Sequence, residues 1–195
     1  MHERSLKRPY FDALYKNNPD PWGFKTSGYE MEKYAATCAA LPNEHYKRAI
    51  EIGCSIGILT RMLAPYCDRL LGLDIAQAAV DQAAEHNADL NHVDIAVARF
   101  PQIELAAKYD LIILSEVLYY FDDTEIAKVA ERVREIAAPT ADIICVHWLG
   151  PTPDYPNNGD TAMDMFETVI KPTEVMLRDR QERYRIDVFR LSQTV

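Results

Sequence analysis

Apolar and polar residues alternate in blocks from residue 49 onward, and these blocks predict strands and helices in turn. Short unbroken apolar runs are typical of buried parallel strands, and apolar residues spaced three or four apart are typical of amphipathic helices. The predicted strands are 49–52, 69–73, 93–98, 111–114, 141–146, 175–178 and 184–191. The predicted helices are 29–41, 56–64, 77–87, 124–137 and 161–170. Little room is left for a helix between the third and fourth strands.

This order of elements predicts an α/β fold. Repeated strand, helix and strand units form a parallel sheet with helices on both faces, and right-handed crossovers limit the topology. The last two strands follow each other around a polar turn, so we expect them to pair antiparallel. The prediction is therefore a Rossmann-like, seven-stranded, mostly parallel sheet with an antiparallel terminal hairpin.

Two proline-containing segments lie outside this pattern. Pro19 and Pro21 exclude a helix where they stand, and the polar and aromatic residues 1–28 are expected to form an N-terminal loop or arm. The segment 149–160, rich in proline and asparagine, is expected to be a loop that shapes a substrate pocket. The 195 residues suit one domain, 1–195, with enough hydrophobic residues (48%) to bury a core.

Charge and composition narrow the class of protein. The net charge of −9 and the pI of about 5.0 argue against a broad positive surface, so we expect no nucleic-acid partner. No apolar run resembles a signal peptide or a membrane span, which favours a cytoplasmic protein without membrane contact. The four cysteines are far apart without a CxxC pair, which argues against a zinc site and favours reduced, packed thiols.

The most informative motif is AIEIGCSIG at 49–57, followed by LLGLD, which ends at Asp74. A strand, a glycine turn, a helix and an acid after the next strand hold the nucleoside of a cofactor in doubly wound sheets. Glu51 precedes the glycines, and Gly53, Ser55 and Gly57 depart from the G-x-G-x-x-G spacing of dinucleotide sites. The turn therefore suits a nucleoside ligand without a pyrophosphate, and it argues against a nicotinamide-dependent oxidoreductase.

With these motifs and the closing hairpin, the chain resembles the class I S-adenosylmethionine-dependent methyltransferases over nearly its whole length. The resemblance implies that Glu51, Gly53, Ser55 and Gly57 form the cofactor loop, with Ser55 in place of the usual middle glycine. It also implies that Asp74 accepts hydrogen bonds from both ribose hydroxyls.

The same resemblance assigns further cofactor contacts. The family's acid after the third strand has no clear match, so we expect the backbone near Arg99 to contact the adenine, with Ile75 and Phe100 as an apolar wall. Ser115 is expected to lie beneath the cofactor, with Glu116 beside it facing the substrate. Tyr29, with Lys33 or Tyr34, is expected to reach the methionine carboxylate.

A closer resemblance involves DPWGF, EIGCSIGILT, SEVLYYF and VHWLGPTPDYP, which are similar to segments of the nodulation S-type methyltransferases. In those proteins the reaction is N-methylation of an amino sugar at the end of a chitooligosaccharide. The resemblance implies S-adenosyl-L-methionine as cofactor, a small-molecule amine as acceptor, and a monomer or homodimer. O-methylation is the first alternative, and a non-catalytic module that binds a cofactor or a protein is the second.

Several polar and aromatic residues are candidates for the acceptor side. His147, at the end of the fifth strand, is the first candidate for a base that titrates near neutrality, and Glu116 is the second. A packed, hydrogen-bonded His147 is an equally weighted alternative. The substrate candidates are Trp22, Tyr119, Tyr120, Asp154 and Tyr155, although packing against helices would also explain Trp22 and the tyrosine pair.

Two polar clusters favour structural interpretations. Asp154, Asn157, Asn158 and Asp160 could form an oxygen cage for a cation, but turn and capping roles are favoured, and we expect no metal. Five arginines between Arg178 and Arg190 alternate with acids, which favours a solvated hairpin over an anion site.

Overall fold

Seven strands and six α-helices follow one another in a computed structural model that describes residues 4–192. The strands are β1 Ala49–Ile52, β2 Leu70–Asp74, β3 Val93–Val97, β4 Tyr109–Ser115, β5 Ala137–Trp148, β6 Glu174–Arg180 and β7 Tyr184–Ser192. The helices are α1 Arg8–Asn17, α2 Gly28–Ala39, α3 Ile58–Leu63, α4 Gln77–His86, α5 Asp123–Ile136 and α6 Gly159–Ile170. Short 3₁₀ turns occupy Ala64–Tyr66 and Leu118–Tyr120. Residues 1–3 of the predicted arm lie outside the described residues.

The strands form one mixed sheet in the order β3-β2-β1-β4-β5-β7-β6. Strands β1 to β5 are parallel to one another, and β7 is antiparallel to both β5 and β6. The predicted Rossmann-like fold, including the antiparallel terminal hairpin, is confirmed. The direction of the crossovers reverses between β1 and β4, and in such sheets this switch point opens a crevice at the carboxyl ends of the strands.

The core lies on both faces of the sheet, as alternate residues of the central strands show. In β4, Ile112 and Leu114 pack in the cluster that includes α5 and α6. Leu111 and Ile113 pack in the opposite cluster, which includes α2 and α3. Both faces of β4 are therefore covered, which explains why this strand reads as an unbroken apolar run.

The structure corrects the prediction that the N-terminal arm has no helix. Pro9 stands in the first turn of α1, where its missing N–H removes no helical hydrogen bond. Phe11 and Tyr15 are one turn apart and both are buried. The predicted interruption holds further on, since Pro19 and Pro21 lie beyond the end of α1.

Two element boundaries also differ from the predictions. The helix expected from residue 56 begins at Ile58, because Gly57 has a φ of +80° and cannot be helical. Strand β5 begins at Ala137 rather than near residue 141, since its first residues still pair with neighbouring strands. Within residues 4–192, no helix combines the length and the apolar character needed to cross a membrane. The cytoplasmic location and the oligomeric state stay predictions.

Candidate active site

A cavity of about 350 Å³ lies at the carboxyl ends of β1, β2 and β4. This volume falls in the range of about 300–1,000 Å³ that is typical of small-molecule sites. Its walls come from the turn after β1, the end of β2, the loops after β4 and β5, and the N-terminal segment including α1. The cavity therefore occupies the switch point of the sheet.

The glycine turn has a backbone that only small residues permit. Gly53 has a φ of +84°, and a Cβ there would lie 2.1 Å from Val117 Cγ1. Ser55 also adopts a left-handed conformation, with a φ of +49°. Gly53 and Ser55 line the cavity as predicted. The turn thus brings its backbone close to any ligand held there.

Gly57 and Glu51, which the family resemblance assigns to the cofactor loop, do not line the cavity. Gly57 faces α4, where its carbonyl accepts a hydrogen bond from Asn87 Nδ2 at 3.1 Å. Glu51 is 1% exposed and accepts a hydrogen bond from Thr60 Oγ1 at 2.5 Å. Burial raises the pKa of Glu51 to about 8, so its carboxyl is mainly neutral at pH 7.

Asp74, the predicted ribose-binding residue, lines the cavity at the end of β2. The Ser55 N–H donates to Asp74 Oδ2 at 3.0 Å, and the Ala76 N–H donates to Oδ1 at 2.9 Å. Burial raises the pKa of Asp74 to about 6, although these hydrogen bonds oppose the shift. The turn and the start of α4 therefore hold an ionisable carboxylate in a fixed orientation at the cavity wall.

The predicted adenine wall is also assembled. Ile75, Arg99 and Phe100 all line the cavity, and Phe100 is buried. The Arg99 side chain forms an ion pair with Glu125 at 2.6 Å. Since its guanidinium group is held by α5, the apolar neighbours and the local backbone are the parts of this wall available to a ring.

Glu116 is held by three donors at the end of β4. Lys33 Nζ donates at 2.5 Å, Tyr119 Oη at 2.6 Å and the Trp148 N–H at 2.8 Å. Burial alone would raise the pKa of Glu116, but the charge of Lys33, the proximity of His147 and the hydrogen bonds from Lys33 and Tyr119 together outweigh burial, and the pKa is lowered. Ser115 and Glu116 both line the cavity, and Glu116 is an ionised acceptor that already accepts three hydrogen bonds.

His147 is completely buried and does not line the cavity. Its Nε2 accepts a hydrogen bond from the Leu118 N–H at 3.3 Å, and Tyr119 packs edge-on against the ring. Burial lowers the pKa of His147 to about 4. The expectation that His147 titrates near neutrality at the substrate edge is therefore wrong, and the geometry favours the packed, hydrogen-bonded alternative.

Helix α2 contributes a different residue from the one predicted first. Tyr29 does not line the cavity; it packs edge-on against Trp148, with the Arg183 guanidinium 3.9 Å from its ring centroid. Tyr34 is buried in the core cluster that includes α3. Lys33, the alternative named with them, lines the cavity and is only 2% exposed. Its neighbour Glu30 also lines the cavity, and no sequence motif singled it out.

All five predicted substrate residues line the cavity: Trp22, Tyr119, Tyr120, Asp154 and Tyr155. Tyr155 stacks on Tyr119 with ring centroids 5.4 Å apart and meets Tyr120 edge-on at 4.8 Å. Trp22 stacks on Phe24 at 5.6 Å. Packing and cavity lining are therefore not exclusive for these rings, which form a rigid aromatic wall.

The N-terminal segment supplies a wall that sequence reasoning missed. The Oη of Tyr15 in α1 lies 2.5 Å from the Oγ of Ser55, so the helix is hydrogen-bonded to the glycine turn. The Leu6 N–H donates to the Tyr120 carbonyl at 2.8 Å, and Ser5 donates to Asp122. The available signal was the i, i+4 pair Phe11 and Tyr15 after a first-turn proline.

The loop and hairpin clusters have structural roles. Asn158 caps α6 in a capping box, so the predicted capping role is confirmed for this residue, and Asn157 Nδ2 donates to the distant Phe121 carbonyl at 2.9 Å. Asp160 pairs with Arg180 and Arg185. The prediction of a solvated hairpin is wrong for Arg185, which is 9% exposed and bonded twice to Asp187.

Comparison with known proteins repeatedly matches this chain to one family. A model of the family described as nodulation protein S (NodS) matches residues 12–146. Nodulation protein S of Sinorhizobium fredii is 29% identical over 127 residues, which are 64% of this chain and 59% of that protein. The Bradyrhizobium diazoefficiens protein of the same name is 29% identical over 139 residues, 66% of each chain. The chain thus spans less than two thirds of the length of these relatives.

A solved structure supports the same fold. N-methyltransferase NodS from Bradyrhizobium japonicum WM9, in complex with S-adenosyl-L-homocysteine, superposes with a TM-score of 0.83. The two chains are 22% identical, and the match covers 95% of this chain and 98% of the other. At this identity the likeness shows that the two proteins share a fold.

Proposed function

Since this chain belongs to the nodulation protein S family, we propose that it is an S-adenosylmethionine-dependent methyltransferase that methylates the nitrogen of a small-molecule amine. The observation that carries the proposal is Asp74, a fixed carboxylate beside the left-handed turn of Gly53 and Ser55. A carboxylate accepts two hydrogen bonds from a vicinal diol such as the ribose of the cofactor.

The residues around Asp74 fit the remaining parts of the cofactor. Ile75 and Phe100 offer apolar contacts for the adenine. The loop after β4 lies close to the glycine turn, since a Cβ at Gly53 would collide with it. The methionine part of the cofactor would extend past Ser115 towards Lys33. Lys33 is a cation suited to the methionine carboxylate.

The charge of the cavity favours a cationic ligand. Glu30, Asp74, Glu116 and Asp154 line it, and against these four carboxyl groups stand Lys33 and an Arg99 that is already paired with Glu125. Because opposite charges attract, this excess of negative charge favours a ligand that carries a sulfonium and an ammonium.

When bound, S-adenosylmethionine supplies a methyl group that its sulfonium activates. The protein's contribution is to hold the acceptor nitrogen in line with that methyl group, and alignment of this kind can supply about 7–11 kcal/mol. The aromatic wall of Tyr119, Tyr120 and Tyr155 would position the acceptor and exclude water. The family resemblance favours an amino sugar as the acceptor. The aromatic wall is compatible with this class, since aromatic rings provide flat apolar surfaces for a sugar ring.

The proposal is tested by titrating the protein with S-adenosylhomocysteine and with NAD in a calorimeter. We expect binding of the first ligand alone. Asp74→Ala should weaken that binding by at least about 100-fold, since two hydrogen bonds are lost and each hydrogen bond to a charged group is worth about 1.5–3 kcal/mol. Asp81→Ala is the matched control, because Asp81 is exposed on α4 and contacts only Gln77 among the hydrogen-bonded groups described. Binding of NAD alone, or unchanged affinity in Asp74→Ala, would refute the assignment.

The acceptor class is tested by methyl transfer from radiolabelled S-adenosylmethionine to a panel of compounds. The panel contains glucosamine, a chitooligosaccharide with one free amine, amino acids and phenols. Transfer to the amines supports the proposal, whereas transfer to phenols alone would favour O-methylation.

A further inference from the structure

Glu30 is a buried carboxylate at the cavity wall, and one of its oxygens accepts no aligned hydrogen bond. The residue is 9% exposed and lies in the first turn of α2. Lys33 Nζ is 2.9 Å from its Oε2, but this ion pair is not aligned as a hydrogen bond, and Oε2 has no other partner among the described residues. Buried polar atoms are nearly always paired in folded proteins, so an unpaired one at a cavity needs an explanation.

The local sequence offers Glu30 a different role, which it does not take. Ser27 and Glu30 are spaced as in a capping box, in which the glutamate reaches back to the backbone N–H of the N-cap residue. Ser27 Oγ accepts from the Glu30 N–H at 3.2 Å, but the Ser27 N–H donates instead to the Gly23 carbonyl at 3.0 Å. Glu30 thus turns into the cavity rather than capping its helix. Such departures from local rules cluster at functional sites.

The other ionisable groups near the cavity are occupied, solvated or remote. Asp74 accepts two backbone N–H groups, and Glu116 accepts three hydrogen bonds. Asp154 is exposed, and His147 lies behind the wall. Among the buried carboxylates that line the cavity in the described part of the chain, Glu30 is the one whose Oε2 accepts no aligned hydrogen bond.

On the basis of the proposed function, we propose that Glu30 is the catalytic base that takes a proton from the acceptor ammonium before methyl transfer. The N–H bond of the ammonium breaks and an O–H bond forms on Glu30, which leaves a neutral amine. The lone pair of that amine then forms the N–C bond while the C–S bond breaks and its electrons return to sulfur. The products are a methylated ammonium and a thioether, and Glu30 returns its proton to solvent.

The charges around Glu30 are compatible with this role. Lys33 forms ion pairs with both acids, at 2.5 Å from Glu116 and 2.9 Å from Glu30, but only the contact with Glu116 is aligned as a hydrogen bond. Burial raises the pKa of Glu30, and Lys33 only partly offsets this effect, which brings the carboxyl closer to the pKa of an amine. The charged and titratable groups that face Glu30 are Tyr29, Lys33, Tyr34, Glu116 and Arg183.

The test is the pH dependence of methyl transfer to glucosamine in Glu30→Gln. At a pH below the pKa of the glucosamine amine, the variant should lose about 100-fold in turnover, the lower end of general-base contributions. Above that pKa the amine is already neutral, so the loss should largely disappear. Glu30→Asp should keep part of the low-pH activity, because it retains a carboxylate. Glu32→Gln, an exposed glutamate on the same helix, is the matched control.

Binding and activity separate the possible outcomes. Unchanged S-adenosylhomocysteine affinity in Glu30→Gln, with a loss confined to low pH, supports the base. A loss that is equal at every pH, or no loss, overturns the role of Glu30 and leaves the methyltransferase proposal standing. A wild-type protein that neither binds S-adenosylhomocysteine nor transfers a methyl group refutes the proposed function itself.

Discussion

The pH dependence of stability tests whether Glu51, in the AIEIGCSIG motif, is a buried and neutral carboxyl in the folded protein. Its folded pKa of about 8 lies above the ordinary value of 4.5, and burial is the main cause. Between these two values, the unfolded chain releases a proton that the folded protein keeps, so stability falls as the pH rises. Each unit of difference between the folded and unfolded pKa corresponds to about 1.4 kcal/mol of stability. The free energy of unfolding should therefore fall by about 5 kcal/mol in total as the pH rises from below 4.5 to above 8, and about 3 kcal/mol of this loss has occurred at pH 7.

Glu51→Gln removes this titration but keeps an oxygen that can accept the hydrogen bond from Thr60. We expect the variant to match the wild type near pH 4.5 and to become progressively more stable than it up to pH 8, with no further divergence above that. Urea unfolding followed by tryptophan fluorescence between pH 4.5 and 9 measures the difference. Glu131→Gln, an exposed position on α5, is the control. A stability difference that does not change with pH would refute the buried, neutral carboxyl.

Two further predictions concern the turn and the ribose site. Gly57→Ala should destabilise the protein by about 1–3 kcal/mol, because a left-handed φ of +80° costs about 1–2 kcal/mol and the new Cβ would lie 2.5 Å from Asn87 Nδ2. Gly28→Ala, at a position with open space around it, should be nearly neutral in the same thermal unfolding assay. S-adenosylhomocysteine affinity should fall as the pH drops below about 6, since Asp74 is then protonated and accepts hydrogen bonds less well. Calorimetry from pH 5 to 8 should show this dependence in the wild type, and a persistent dependence in Asp74→Asn would assign it to another group.

Most of the fold could be predicted from local patterns. The seven strands and five of the six helices of the described range follow from apolar periodicity, and the glycine turn and Asp74 follow from the motif. Helix α1 was missed because the prolines at 19 and 21 suggested an irregular segment and outweighed the periodic Phe11 and Tyr15 before them. The observed start of α3 differs from the predicted one because the left-handed backbone of Gly57 prevents the helix from beginning earlier.

The candidate site could be predicted only in part from the sequence. The motif pointed to Gly53, Ser55 and Asp74, and all three line the cavity, since strand ends and turn geometry are local properties. Position alone could not show that the side chain of Glu51 turns away towards Thr60. It also could not show that His147, at the end of a strand, is buried behind Tyr119.

The sequence by itself thus determined the order of the elements, the sheet and the nucleoside motif, because hydrophobic period and turn chemistry act over a few residues. Only the tertiary structure decided which charged groups meet. Lys33 and Glu116 are 83 residues apart in the chain, and their contact depends on how α2 packs across the end of β4. The buried Glu30 Oε2 is left without an aligned hydrogen bond for the same reason, since burial and partners depend on elements distant in sequence. The ligand-facing chemistry of the cavity follows from that packing rather than from any local pattern.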